Sequence, residues 1–180
     1  LLHFREIIDF DFGQPQKGAD NAILRIEREN FHVSKGYLST QSPYFASLFN
    51  GDFKEKKQSE IKLGDVTVLE FTDFINIAYP TNKAVTVDTY KNVLVLSDKY
   101  QVQYSLDKVE LYLIKTRRVA IQVKLHLADQ YGLEHLQKHC LNTFKTIDAV
   151  KAVEKTPEFK QFSGSLSNAI LKRVLALYEQ

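Results

Sequence analysis

Two histidines four residues apart are the strongest candidates for metal ligands in this chain of 180 residues. His135 and His139 would share one face of a helix, as zinc ligands often do, with the Glu134 carboxylate beside them. However, Leu136 stands where the metalloprotease motif requires glutamate, and both histidines would face away from an apolar stripe. That stripe is formed by Leu133, Leu136, Cys140 and Phe144. We therefore interpret the histidines as solvated side chains and predict no metal site.

An acidic segment near the N-terminus imitates a calcium-binding loop. Asp9, Asp11 and Asp20 have the spacing of the first, third and twelfth positions of such a loop. Gln14, which Pro15 follows, occupies the sixth position, where the sharp turn of the loop requires glycine. We therefore interpret this segment as a polar linker.

The glycines and serines do not form the common nucleotide-binding or hydrolase motifs. The seven glycines have neither the dinucleotide-binding spacing nor the spacing of a phosphate-binding loop. Ser163-Gly164-Ser165 lacks the flanking glycines of a nucleophile elbow. The sequence therefore predicts a protein that is not an enzyme and that uses no cofactor.

The cysteine content points to a reducing compartment. Cys140 is the only cysteine, which excludes an intrachain disulfide and any zinc site that needs two thiolates from this chain. The cytoplasm or the nucleus is the simplest expectation. No apolar run reaches the roughly 18 residues that a membrane-spanning helix needs, so no membrane partner is expected.

Charge is distributed unevenly along the chain. Up to Ile114 there are 13 basic and 16 acidic residues, whereas residues 115–180 contain 11 basic and 6 acidic residues. The net charge of +5 in the second part is spread over helices, without a basic run interleaved with aromatic residues. Such a pattern argues against a nucleic-acid partner.

Hydrophobic spacing predicts a small sheet in the first part of the chain. Residues 22–33 favour a β-hairpin, and residues 59–63 alternate polar and apolar side chains as a third strand would. Between them, Ser42 precedes Pro43 as a helix N-cap, and aromatic and leucine side chains follow at helical spacing. Strands followed by helices indicate an α+β fold.

The rest of the chain is predicted to be mainly helical. Asp65 would cap a helix that ends at residue 79, and everything after Asp88 has helical spacing. Residues 96–102 return 31 positions later as residues 127–133, and each copy has the features of a helix, a corner and a second helix. We therefore expect helical hairpins, with a final helix over residues 166–178.

The stretch from Phe31 to Phe45 resembles the strand, helix and Ser-Pro-Tyr-Phe corner of BTB/POZ domains. The resemblance continues in register through Phe49, Ile61, the helix ending at Tyr79 and residues 93–102. The chain is most similar to the BTB and MATH–BTB proteins expanded in nematodes. This resemblance implies a small mixed sheet flanked by helices over residues 19–114. Residues 115–180 resemble a BACK or 3-box helical extension, and residues 1–18 would be a linker or the end of a preceding domain.

Members of this family form homodimers. Their dimers pack together the helix that here contains Tyr37, Leu38 and Thr40, which the resemblance therefore implies as dimer-interface residues. A two-fold interface must be complementary to itself, and short uncharged or apolar side chains permit this.

Many members also bind cullin-3 as substrate adaptors of a ubiquitin ligase. The contact pattern is an apolar residue, any residue and then Glu, which here is Phe53-Lys54-Glu55. Tyr104, at the corner of the first repeat, is a weaker candidate for the same contact. An aromatic side chain in a loop of Gly, Asp and Lys has few local partners, so it favours a pocket on another protein.

The resemblance leaves alternative functions open. The chain could be a BTB homodimerisation module of a transcription or scaffold protein that does not bind cullin-3. It could also be a tetrameric assembly domain of the potassium-channel type. If it is an adaptor, the substrate protein is expected to bind outside this segment.

Overall fold

The computed structural model describes residues 10–15, 21–50 and 60–179. The chain forms two compact units, Leu1–Val109 and Glu110–Gln180. The division falls inside a helix, so that one helix contributes residues to both units. Among the described helices, none is long and apolar enough to cross a membrane.

A three-stranded sheet lies in the first unit. Its strands are β1 (Asn21–Ile26), β2 (Glu29–Ser34) and β3 (Glu60–Leu63), in the order β2-β1-β3. The predicted hairpin is confirmed: β1 and β2 are antiparallel, with Ile23 opposite His32. Glu27 makes the turn between them with a positive φ of 53°. The predicted third strand is also confirmed, and it pairs parallel to β1.

Among the described residues of the first unit, five helices begin. They are α1 (Lys35–Gln41), α2 (Pro43–Asn50), α3 (Val68–Ala78), α4 (Tyr90–Lys99) and α5 (Gln103–Lys115). The predicted cap of α2 is confirmed, because the Ser42 hydroxyl oxygen accepts a hydrogen bond from the Phe45 N–H at 3.0 Å. The same hydroxyl donates to the Tyr100 carbonyl oxygen at 2.5 Å. Ser42 thereby ties the start of α2 to the end of α4.

The cap of α3 differs from the sequence prediction. Thr67, not Asp65, is the N-cap residue: its hydroxyl accepts from the Glu70 N–H, and the Glu70 carboxylate accepts from the Thr67 N–H. These hydrogen bonds lower the pKa of Glu70. Asp65 instead has a left-handed conformation with a φ of 56°, which belongs to the turn before the helix.

Aromatic rings fill the core of the first unit. Tyr100 is fully buried, and its ring centroid lies 5.1 Å from that of Tyr44, 5.2 Å from Phe45 and 5.5 Å from Phe74. Phe10 and Phe12, which lie in the segment that the sequence assigned to a linker or preceding domain, pack against this core. The Phe12 side chain is buried, and its carbonyl oxygen accepts a hydrogen bond from the His32 N–H at 2.7 Å.

The second unit is helical in its described residues. After the C-terminal part of α5 come α6 (Ile121–Tyr131), α7 (Glu134–Thr143), α8 (Ile147–Glu154), a 3₁₀ turn (Glu158–Gln161) and α9 (Gly164–Tyr178). The predicted repeat is confirmed. Helix α4 ends next to Tyr100 and α6 ends at Tyr131, and after a short corner each is followed by a second helix, α5 and α7 respectively. The predicted apolar stripe of the second copy is buried, and Gly132 makes its corner with a φ of 65°.

A buried carboxylate holds the start of α7. The Glu110 side chain is only 9% exposed, and its Oε1 atom accepts a hydrogen bond from the Leu136 N–H at 2.8 Å. No side chain caps α7 from its own N-cap residue, Leu133. Glu110, which lies far away in sequence, therefore satisfies one of the backbone donors that the helix leaves unpaired.

Replacing this carboxylate is expected to destabilise the protein. Glu110→Ala would leave the buried Leu136 N–H unpaired, which costs about 1–3 kcal/mol in the free energy of unfolding. Glu110→Gln, which keeps an acceptor oxygen, should lose less. Urea denaturation followed by circular dichroism measures both. The exposed Glu154→Ala is the matched control and should stay within about 0.5 kcal/mol of the wild type; equal stability of the Glu110→Ala and Glu154→Ala variants would show that the cap is unimportant.

Candidate protein-interaction surfaces

The two principal residues predicted to contact cullin-3 cannot be placed. Phe53 and Glu55 lie outside the described residues, in the interval between α2 and β3. Their role therefore stays a prediction from the sequence. The third candidate, Tyr104, and the predicted dimer-interface residues all lie in described parts of the first unit.

Helix α1, which carries the predicted dimer residues, is fixed at its N-terminus. The Ser34 hydroxyl accepts a hydrogen bond from the Tyr37 N–H at 3.2 Å, as an N-cap does. The Ser34 N–H donates to the hydroxyl of the buried Tyr79 at 2.8 Å. The rings of Tyr37 and Tyr79 also contact, with centroids 4.6 Å apart. Core contacts thus position α1 against the end of α3.

The three predicted dimer residues differ in accessibility. Tyr37 is half-buried, and its hydroxyl donates to the Ala78 carbonyl oxygen at 3.0 Å. Thr40 is exposed, and its hydroxyl donates to the Tyr37 carbonyl oxygen at 2.7 Å. Leu38 is fully buried within the chain itself. In a dimer through this helix, Tyr37 and Thr40 could make direct contacts, whereas Leu38 could only support the helix from the core.

Tyr104 lies in the first turn of α5 and is 38% exposed. The Lys108 Nζ atom is 4.4 Å from the centroid of its ring, the geometry of a cation–π interaction. The same ammonium donates a long hydrogen bond of 3.5 Å to the Ile77 carbonyl oxygen near the C-terminus of α3. A cation is favourable at that end of a helix.

Tyr37 and Tyr104, which the sequence assigned to different partners, both lie at the C-terminal end of α3. Tyr37 donates to the Ala78 carbonyl oxygen, and the ammonium group over the Tyr104 ring donates to the Ile77 carbonyl oxygen. Burial raises the pKa of Tyr37, and the nearby Tyr104 raises it further. We call Tyr37, Tyr104 and Lys108 the tyrosine patch. It offers two aromatic rings and one ammonium group around the C-terminal end of α3. Such a patch can bind a protein partner by aromatic packing and hydrogen bonds, and none of these groups is arranged for covalent chemistry.

Sequence reasoning did not single out Lys108. Its spacing of four residues from Tyr104 on a predicted helix was a usable signal, because such residues lie on one helix face. The position of Tyr37 and Tyr104 at the same end of α3 had no comparable signal, because the two residues are far apart in the sequence.

The candidate metal ligands are exposed. His135 and His139 lie on the solvent side of α7, while Leu136 and Cys140 of the same helix are buried. Burial raises the pKa of the Cys140 thiol to about 11, which keeps it protonated at neutral pH. Within residues 10–15, 21–50 and 60–179, no three His, Cys, Asp or Glu side chains are grouped as a metal site would require.

Comparisons with known proteins agree with the resemblance seen in the sequence. The family model of the BTB/POZ domain matches residues 14–117. BTB and MATH domain-containing protein 38 of Caenorhabditis elegans is 35% identical over 177 residues, which cover 98% of this chain and 46% of that protein. BTB and MATH domain-containing protein 36 of the same organism is also 35% identical, over 99% of this chain and 55% of that protein.

The chain thus spans about half the length of these two relatives. Among solved structures, the BTB domain of zebrafish PATZ1 is 21% identical in sequence and superposes with a TM-score of 0.43. The superposition covers 53% of this chain and 75% of the PATZ1 chain. The family match covers more than half of the chain, and both nematode relatives align with nearly all of it. The chain therefore belongs to the BTB/POZ domain family, whose domain is a protein–protein interaction module.

Proposed function

We propose that this protein is a homodimeric BTB adaptor that binds cullin-3 and brings substrate proteins to a ubiquitin ligase in the cytoplasm or nucleus. The observation that carries the proposal is the Phe53-Lys54-Glu55 sequence in a chain of the BTB family. The substrate would bind through a part of the protein outside these residues. In this role the chain positions other proteins and catalyses no reaction itself.

The local sequence supports a binding role for Phe53. The neighbouring residues Gly51, Asp52, Lys54 and Lys56 are small or charged and provide no apolar surface. An aromatic side chain among such residues is suited to a pocket on a partner, and central aromatic residues often dominate the binding energy of an interface. Glu55 adds a carboxylate that can accept charge-assisted hydrogen bonds.

Dimerisation would make such an adaptor more effective. A two-fold dimer presents two cullin-binding segments and two substrate-binding parts. If a substrate or a ligase complex offers two sites, the second contact forms at the effective concentration set by the linkage. The gain in avidity requires no additional contact surface.

The dimer is expected to depend on the exposed side of α1. The wild type should have twice the chain mass of 20.8 kDa in light scattering at micromolar concentration. Thr40→Arg would place two like charges near each other across a two-fold axis and should shift the protein to monomer. Gln130→Arg, an exposed substitution on α6 in the second unit, is the control and should remain dimeric. A wild type of monomer mass, or a Thr40→Arg variant that stays fully dimeric, would contradict this interface.

One observation favours the alternative function, a BTB dimerisation module that does not bind cullin-3. Tyr104, a candidate cullin contact, lies at the same C-terminal end of α3 as Tyr37, a candidate dimer contact. If the tyrosine patch belongs to the dimer interface, Tyr104 is unavailable to cullin-3. Tyr104→Ala distinguishes the roles: weaker cullin-3 binding by an intact dimer supports the adaptor contact, whereas loss of the dimer itself supports the alternative.

A further inference from the structure

A groove in the second unit has no role in the proposed contacts with cullin-3 or with a second copy. It lies between α7 and α9, next to the end of α6, and has a volume of about 740 Å³. One wall is a face of α7 that carries Glu134, Gln137, Lys138 and Leu141. These positions follow the spacing of a single helix face. The groove is therefore a continuous strip along α7 and not a gap between loops.

One of the two carboxylates that line the groove in the described residues is engaged by hydrogen bonds within the fold. The Asp129 carboxylate accepts hydrogen bonds from the Ser163 N–H at 2.7 Å and the Ser163 hydroxyl at 2.6 Å. Ser163 is the N-cap residue of α9, so the Asp129 carboxylate stabilises the start of that helix. Glu134, at the start of α7, is the only other carboxylate that lines the groove in the described residues.

The basic side chains of the groove leave two ammonium groups available. Arg173 is partly used by the fold, because its Nε and Nη2 atoms donate to the Phe144 carbonyl oxygen at 3.2 and 2.6 Å. Lys138 and Lys172 are exposed, and in the described part of the chain neither has a hydrogen-bond or ion-pair partner. They belong to the region that carries a net charge of +5. The groove itself is lined by three cationic and two anionic side chains, a net charge of +1 that favours an anionic ligand.

We propose that this groove binds an extended acidic peptide segment of a partner protein. Lys138 and Lys172 would pair with Asp or Glu side chains of the peptide. The amide side chains of Gln137 and Asn142 can donate and accept hydrogen bonds along a peptide backbone. Leu141, on the α7 wall, gives an apolar contact. The site adds a recognition surface to the extension, beyond the dimer and the cullin-3 contact.

The lining of the groove favours a peptide over a nucleic acid. No aromatic side chain lines it, and aromatic rings are the usual stacking platform for bases. The carboxylates of Asp129 and Glu134 would also repel a continuous phosphate backbone. A peptide with spaced acidic residues can avoid these two groups.

The test is fluorescence anisotropy with the full chain and a labelled octapeptide in which glutamate alternates with serine. K138E/K172E should weaken binding by about tenfold or more, because two favourable charge contacts become repulsive. K155E/K160E changes the net charge equally through exposed lysines elsewhere in the second unit and should weaken binding by less than about twofold. K138A/K172A, which removes the two charges without reversing them, should have an intermediate effect on affinity. Unfolding curves of all the variants check that each one is folded.

Three results would overturn the proposal. The first is that the octapeptide does not bind the wild type at millimolar concentration. The second is an equal loss of affinity in the groove variant and the K155E/K160E control, which would indicate binding by net charge alone. The third is that an octamer of uridylate binds as tightly as the acidic octapeptide with the same sensitivity to K138E/K172E, which would make the site a nucleic-acid groove. None of these results bears on cullin-3 binding.

Discussion

Phe53→Ala is expected to weaken the complex with cullin-3 by roughly 30-fold or more. Truncating an aromatic residue at the centre of an interface typically costs about 2–4 kcal/mol, and each 1.4 kcal/mol is a tenfold change in Kd. Calorimetry with the cullin-3 N-terminal domain and the full chain measures this directly. For a wild-type complex of submicromolar Kd, the variant should bind only at micromolar concentration.

Neighbouring substitutions make the Phe53 experiment specific. Glu55→Ala should also weaken the complex, because a charge-assisted hydrogen bond contributes about 1.5–3 kcal/mol. Lys57→Ala, two residues further along, is the matched control and should change the affinity little. Since the sequence predicts a loop here, all three variants should keep the dimer and the wild-type Tm. Unchanged affinity in both Phe53→Ala and Glu55→Ala would exclude this segment as the contact.

Tyr100→Ala should be among the most destabilising single substitutions in the first unit. Its fully buried ring contacts those of Tyr44, Phe45 and Phe74, so truncation leaves a cavity inside the aromatic core. Replacing a buried aromatic residue with alanine costs about 3–5 kcal/mol in the free energy of unfolding. Urea denaturation of the wild type and the variant gives the difference.

The matched control is Tyr100→Phe, which keeps the ring and removes only the hydroxyl. That hydroxyl is buried and has no hydrogen-bond partner in the part of the chain that the structure describes. Burial raises the pKa of Tyr100, so the phenol stays protonated at neutral pH. An unpaired buried polar atom is costly, and Tyr100→Phe should therefore be neutral or stabilising. A loss above about 1 kcal/mol in this variant would show that the hydroxyl has a partner.

The elements that the sequence predicted are those with local signals. Alternating apolar residues indicated the β1–β2 hairpin, and Ser42 before Pro43 indicated the start of α2. The repeat of residues 96–102 at residues 127–133 indicated two matching helix corners. In each case the pattern lies within a few residues of the structure that it produces.

The misplaced cap of α3 was a choice between two local signals. Asp65 and Thr67 are both good N-cap residues, but only Thr67 has glutamate three positions later, as a capping box requires. The burial of Leu38 was harder to foresee, because α1 has only two turns and too few residues to define an apolar face. The support of α7 by Glu110 and the position of Tyr37 and Tyr104 at the same end of α3 depend on tertiary packing. A single sequence contains no local signal for such pairs.

One measurement tests both the proposed dimer and the proposed binding of cullin-3. Size-exclusion chromatography with light scattering on the full chain, mixed with an excess of the cullin-3 N-terminal domain, gives the mass of the complex. A dimeric adaptor should give one species that contains two chains and two cullin-3 domains. A chain that elutes at its monomer mass of 20.8 kDa with cullin-3 unbound would contradict both proposals.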